Sequence, residues 1–500
     1  MSAAPPLPPP SPRLTAAYDA ARFRADGHQL IERLADHLAA ATGGDDARVL
    51  PWLAPEEGIA AWPSEFPDEP TDPLSVTVDR TLATSIRLHH PRYLGHQVPP
   101  PVPGAALIDA LAAMLNNGMA VYEMGGAATP HELAVIGWMA KTLGLPATAG
   151  GLLTSGGSLG NLTALLAARQ ARAGHDVWSE GSAAAPPLAV LVAETAHYSI
   201  DRAVRVLGWG AGGAVPVAVD AQHRLRADDL GRALAQARVI GRRPIAVVAS
   251  AGSTATGAYD PLPAIADFCA AHGLWLHVDG AHGAAAALSP RHTHLVAGIE
   301  RADSVVWDAH KLMAMPALCT AVIYKDAEHA YGAFAQEASY LFARERQWWN
   351  LGLRTLECTK RMMGTIVYAS LRAYGVGFFR DYVERVFALA GALATRLDAA
   401  ADFELALAPT ANIVCFRYRP AGGPPPGPAL DELQATVRTR CRDAGRYYFL
   451  DTQLAGARWL RTALMNPLTT AAELDGVLAA IRAAAPAPGA AATLCTPTAG

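Results

Sequence analysis

Between Gly151 and Tyr324 the chain repeats one pattern seven times: a short apolar run, a turn, and in most cases a stretch with helical spacing. The runs are Gly151–Thr154, Leu188–Ala193, Val215–Val219, Ile245–Ser250, Leu274–Val278, Ser304–Trp307 and Cys319–Tyr324. They are nearly continuous in apolar residues, as strands covered on both faces are. The stretches Ser158–Ala173, Ala227–Arg238 and Leu262–His272 supply helices for that cover. Strand–helix alternation of this kind predicts an α/β domain on a mainly parallel, seven-stranded sheet. A composition of 51% hydrophobic and 17% charged residues provides the core it requires.

The flanks read differently. Residues 1–13 are Pro-rich and expected to form a disordered arm. Helical spacing runs from Thr15 to about Ala41, and residues 50–75 read as an extended, wandering segment. Residues 14–88 are therefore expected to pack on a partner subunit, ahead of a large domain at 89–375. That domain includes two further helices, about Ala105–Asn116 and Pro130–Leu143. A long helical region, Thr355 to Ala400, leads into a small α+β domain at 376–485. Its expected strands are Ile413–Tyr418, Tyr447–Leu450 and Trp459–Leu464, with a last helix at Thr470–Ala484. Residues 419–428 form a Gly/Pro loop and 486–500 a flexible tail.

A formal charge of −4 offers no footprint for nucleic acid. No uncharged apolar run is long enough to span a membrane, and the Pro-rich start is not a secretory signal. The six cysteines have no C-x-x-C and no framework spacing, which points to reduced thiols and a cytoplasmic setting.

Chemistry concentrates at the ends of the apolar runs. Lys311, in Asp308-Ala309-His310-Lys311, stands between two buried strands. An unpaired ammonium is too costly to bury, so it is either solvated at the sheet edge or chemically used. Gly156, Gly157 and Ser158 follow the first run and open a helix, whose free N–H groups and positive dipole end suit a phosphate. Alone, that turn is equally a plain tight turn. Asp279 ends the Leu274 run, at the sheet edge where open α/β sheets place ligands. The small Gly280 and Ala281 after it leave room for a flat ring. His197 follows the Leu188 run. A phosphate cradle, a strand-end carboxylate, an aromatic platform and a late lysine together meet the needs of pyridoxal 5′-phosphate. Its ring nitrogen pairs with a carboxylate and its aldehyde forms a Schiff base with a lysine.

From about His89 to about Ala484 the chain resembles the group II pyridoxal-phosphate-dependent amino-acid decarboxylases of fold type I. These include the aromatic-amino-acid, glutamate and diaminobutyrate decarboxylases. The resemblance implies the pyridoxal-phosphate-dependent transferase fold, with a large and a small domain, and a carboxy-lyase acting on an L-amino acid. It implies that Lys311 binds the cofactor with His310 beside it, that Asp279 faces the ring nitrogen and that His197 stacks on the ring. Thr254 would lie near the cofactor and substrate, and Gly156, Gly157 and Ser158 at the phosphate. Tyr340, in Ala338-Ser339-Tyr340-Leu341-Phe342, resembles the catalytic-loop tyrosine that protonates the substrate carbon. Relatives with Phe there tend toward aldehyde synthesis. Arg461 matches the arginine that receives the substrate carboxylate, a role suited to its planar fork. A homodimer with shared active sites also follows from the resemblance.

His96 lies where relatives place a side-chain-recognising residue, and Tyr122-Glu123-Met124 resembles the matching part of glutamate decarboxylases. Glutamate-specific relatives carry a different residue at the His96 position, and no second cation awaits a side-chain carboxylate. The expected substrate has a neutral aliphatic or aromatic side chain. Diaminobutyrate or glutamate decarboxylation, and aldehyde synthesis on the same scaffold, are the alternatives.

Overall fold

The computed structural model describes residues 7–43, 48–182, 186–334 and 347–486. All seven runs are strands: β1 (Gly150–Thr154), β2 (Leu188–Ala193), β3 (Ala214–Val217), β4 (Arg243–Ser250), β5 (Trp275–Asp279), β6 (Ser304–Asp308) and β7 (Thr320–Tyr324). They form one sheet in the order β1-β7-β6-β5-β4-β2-β3. Only β7 runs against its neighbours; the four remaining pairs are parallel.

Successive residues along a strand enter opposite cores, as the pleat requires. Leu153, Leu191, Val305 and Ile323 pack on one face with Phe379 and Val383 of the helix Met363–Ala399. Leu152, Val190, Val306 and Val322 pack on the other with Leu165 of the helix Gly157–Arg172 and Ile200 of the helix Tyr198–Val206. With β1, β5 and β6 pointing the same way, Thr154, Asp279 and Asp308 finish at one edge.

Edge strand β1 is closed by a buried ion pair. Glu132, on the helix Ala128–Thr142, accepts from Leu153 N at 2.9 Å and pairs with Lys360, whose Nζ donates to Leu153 O at 2.6 Å. Both backbone groups of Leu153 are thus satisfied where no further strand follows.

A second, antiparallel sheet has the order β10-β11-β9-β8, from β8 (Phe403–Leu405), β9 (Ile413–Tyr418), β10 (Leu450–Leu454) and β11 (Ala457–Ala463). Helices Pro428–Ala444 and Ala471–Ala484 bury Leu430, Val437, Leu474 and Val477 against its Phe416 and Leu460.

Several expectations need correction here. The strand expected at Tyr447–Leu450 begins instead at Leu450. Tyr448 makes a single bridge to Tyr93 and stacks on its ring, while a tight turn at Ala455 (φ 49) and Gly456 (φ 75) sets the β10–β11 register. The helix expected from Thr355 starts at Met363 and breaks at Gly375, where φ is 72. The helix expected over Thr15–Ala41 is two, Pro12–Ala17 and Ala20–Gly43, and Pro12 and Arg13, assigned to the arm, open the first. Pro55–Ala60 adds a helical turn inside the segment read as extended. Helices Leu74–Thr84 and Pro428–Ala444 and strand β8 were not anticipated. Among the described residues, no helix is long and apolar enough to cross a membrane. The five described cysteines form no disulfide, and burial pushes the Cys269 and Cys415 thiols up to about 12.

Candidate active site

The cavity of about 280 Å³ at the carboxyl ends of β1, β5 and β6 gathers most of the chemistry read from the sequence. Gly156, Gly157, Ser158, His197, Thr254, Asp279, Ala281, His310 and Lys311 all line it. The cradle is glycine for two reasons. Gly156 has φ +105, a conformation that L side chains rarely adopt, and it caps the helix Gly157–Arg172. A Cβ on Gly157 would meet Asp308 Oδ2 at 3.1 Å. The helix N-terminus therefore presents bare N–H groups to the cavity.

Lys311 is one-fifth exposed, and its Nζ lies 3.0 Å from Asp308 Oδ2. Asp308 is buried, and its other oxygen accepts from Thr320 Oγ1 at 2.6 Å. The ammonium thus has a counter-ion at hand, which resolves the sequence dilemma of a cation between two buried strands. His310 turns its Nδ1 toward Cys319, accepting from Cys319 N at 3.2 Å. Its Nε2 is 3.6 Å from Asp308.

Asp279 is held by a chain that the sequence did not disclose. Asn161 Nδ2 donates to Asp279 Oδ2 at 3.0 Å and to Ser199 Oγ at 2.9 Å. Asn161 Oδ1 lies 3.0 Å from His277 Nε2, and His277 Nδ1 lies 2.9 Å from Ser304 Oγ. Burial holds the His277 imidazole down to about 4, so it is neutral, with Nε2–H donating to Asn161. The fixed amide aims one Asp279 oxygen, and Ala281 N donates to the other at 3.2 Å. His197 caps the helix Tyr198–Val206, and its Nδ1 accepts from Ser199 N at 3.3 Å. Burial lowers its pKa, favouring a neutral ring.

The two residues expected at the substrate sit outside the cavity lining. Arg461, on β11, is buried, and burial lowers its pKa. Its Nη2 donates to Thr254 O at 2.6 Å and its Nε to Ala255 O at 3.1 Å, so it braces the cavity wall from behind. A third contact runs from Nη2 to Gln97 Oε1 at 3.3 Å. His96 is exposed, with its ring 5.9 Å from that of Tyr448. Tyr340 lies outside the described residues.

Residues missed from sequence are Asn161, Asp308 and His282, all cavity-lining. Asn161 was detectable as a polar side chain inside an apolar helix, and such residues usually have a partner. His282 is buried, and its pKa falls to about 3 through burial and the nearby Lys311. Ser155 Oγ, at the cradle, donates to Glu357 Oε1 at 2.7 Å.

A lysine at the strand ends, a carboxylate fixed by an amide, an imidazole and a glycine cradle on a helix N-terminus fit a phosphorylated pyridine aldehyde. Comparison with known proteins agrees. Residues 55–419 match the model of the pyridoxal-dependent decarboxylase conserved domain. The chain is similar to an aromatic-L-amino-acid decarboxylase of Bacillus atrophaeus, 29% identical over 426 residues covering 84% of this chain and 87% of that protein. It is similar to cysteine sulfinic acid decarboxylase of Rattus norvegicus, 31% identical over 407 residues covering 79% and 82%. Its fold superposes on the crystal structure of mouse CSAD with a TM-score of 0.88 and 26% identity, covering 93% of this chain and 99% of that one. The crystal structure of Oryza sativa TDC with PLP and tryptamine shares the fold, with a TM-score of 0.84 at 23% identity, covering 93% and 98%.

Proposed function

Because the chain belongs to the pyridoxal-dependent decarboxylase family, and is thus a carboxy-lyase that uses pyridoxal 5′-phosphate, we propose that it decarboxylates an L-amino acid with a neutral aliphatic or aromatic side chain. The products are CO₂ and the amine. One observation carries the substrate class. Among the described residues, Lys311 is the only Lys or Arg in the cavity lining, and Arg461, reaching the wall through the Thr254 carbonyl, is assigned to the α-carboxylate, which leaves a side-chain carboxylate without a cation of its own.

The cofactor supplies an electron sink for the bond that releases CO₂. The chain supplies the rest. Lys311 is the attachment point, and Asp308 holds its ammonium in place beforehand. Asp279, aimed by Asn161, would keep a proton on the ring nitrogen. Gly156, Gly157 and Ser158, at the helix N-terminus, would hold the phosphate, and His197, in the same lining, would cover the ring. Arg461, braced on the Thr254 and Ala255 carbonyls, would turn its remaining N–H groups to the substrate carboxylate, and Tyr340 would return a proton to the α-carbon. A panel of amino acids assayed for CO₂ release tests the reading. Glutamate or diaminobutyrate as the sole active substrate would overturn the side-chain assignment.

Tyr340→Phe is expected to shift products from amine toward aldehyde, ammonia and peroxide, with dioxygen consumed. Product analysis and an oxygen electrode check this; a variant still forming only amine would remove Tyr340 from the proton step. We also assign a homodimer. Leu107, Leu111 and Met114 of the helix Pro103–Leu115 are 55%, 47% and 66% exposed, an apolar row suited to a second copy. Light scattering should return twice the 52.4 kDa chain mass; a monomer with full activity would exclude shared sites.

A further inference from the structure

We propose that His282 and Asn412 are positioning residues that hold Arg461 in register with Asp279, an inference resting on the decarboxylase reading above. His282 follows β5 by three residues and lines the cavity, and its Nε2 lies 2.7 Å from Asn412 Oδ1. The Asn412 amide has one orientation, because Nδ2 donates to Leu464 O at 3.1 Å. Its oxygen therefore faces the imidazole, and His282 Nε2 is the donor. Leu464 N donates back to Asn412 O at 2.8 Å. Leu464 directly follows β11, the strand that carries Arg461. A short hydrogen-bonded chain thus joins the strand of Asp279 to the strand of Arg461.

The backbone behind His282 has no slack. Gly283 N donates to Ala251 O at 2.9 Å, and a Cβ on Gly283 would lie 2.5 Å from that oxygen. A Cβ on Gly252 would lie 2.9 Å from Gly283 Cα. Thr254 and Ala255, just beyond Gly252, accept the Arg461 guanidinium. The contacts close a ring running from Arg461 through Thr254, Gly252, Gly283, His282, Asn412 and Leu464 back to β11. The guanidinium is braced by the 254–255 carbonyls, and its strand is braced by His282 through Asn412. A substrate carboxylate read by Arg461 then stands at a fixed distance from the ring that Asp279 orients. A guanidinium that drifts from that place grips the carboxylate less well in ground and transition state alike, so the loss falls on KM.

The test uses the cofactor-loaded full chain as His282→Ala, His282→Gln, Asn412→Ala and the double alanine variant. Amide hydrogen exchange of residues 457–464 reads the register with no substrate present. It should rise about tenfold in each alanine variant, the size expected for one lost hydrogen bond. Residues 304–308 should be unchanged. Gln places a donor near the position of His Nε2 and should restore protection, and the double variant should exceed neither single. With the amino acid that the panel identifies, KM should rise about tenfold and kcat stay within about twofold, with the visible cofactor band unaltered. Unchanged exchange at 457–464 in His282→Ala would overturn the proposal. So would a rise spread evenly over both sheets, or a fall in kcat alone. A panel with no active amino acid would defeat the decarboxylase reading, while the exchange result would still decide whether His282 sets the register.

Discussion

Replacing Lys311 with alanine is expected to abolish CO₂ release from every amino acid tried, a loss of roughly 10³-fold or more. The reason is positional as well as chemical. Among the described residues lining the cavity, no other side chain carries an amine. Lys311 is the ammonium that Asp308 holds 3.0 Å away at the ends of the strands. The visible absorbance of the bound cofactor should shift at the same time, because the covalent link is lost. The fold should survive, since Asp308 keeps its bond to Thr320 at 2.6 Å. Absorbance spectra, a CO₂ assay and a thermal melt on one preparation check all three. A stable variant that decarboxylates at the parent rate would dismiss Lys311 from the chemistry.

The next largest effect is expected from Asp279→Asn, a fall in kcat of roughly 10²–10³-fold with the cofactor still bound. Asparagine keeps the shape but removes the negative charge that, in the proposed reading, would hold a proton on the ring nitrogen. The surroundings are built for a carboxylate. Asn161 donates to one oxygen at 3.0 Å and Ala281 N to the other at 3.2 Å. An amide at 279 turns an NH₂ toward one of those donors. Steady-state kinetics together with cofactor titration separate the outcomes. Equal loss of cofactor binding and turnover would make Asp279 a binding residue only. A KM change with unchanged kcat would assign it to the substrate.

The large sheet was legible because its strands are buried on both faces, so each reads as an unbroken apolar run such as Leu188–Ala193. Lys311, Asp279 and the Gly156 turn were legible because each interrupts such a run with a residue that the core does not tolerate unaided. The supporting residues were not. Asn161 and His277 are separated by 116 positions, and His282 and Asn412 by 130, so their pairing exists only in three dimensions. His96 and Arg461 were chosen by likeness of their surroundings, and the structure sets them outside the cavity lining, with Arg461 reaching the wall through the Thr254 carbonyl. The strand near 450 was misjudged because Tyr448 has strand-like chemistry yet is drawn into a ring stack with Tyr93. Helix Pro428–Ala444 was overlooked beside its Gly/Pro loop, although Leu430, Leu433, Val437 and Cys441 mark a helical face.

The reversed direction of β7 has a mechanical consequence. Parallel neighbours are joined by segments that leave the sheet and cross one of its faces. Strands β6 and β7 are antiparallel neighbours, paired from Ser304↔Tyr324 to Asp308↔Thr320, so residues 309–319 return directly at the sheet edge. Leu312, Met313 and Met315 of that return are buried in the same core as Phe379 and Val383, and Ala314 O accepts from Val102 N at 2.9 Å. Lys311 therefore rides on a short return held at both ends by paired strands, and its place opposite Asp308 is set by the sheet rather than by a crossover helix.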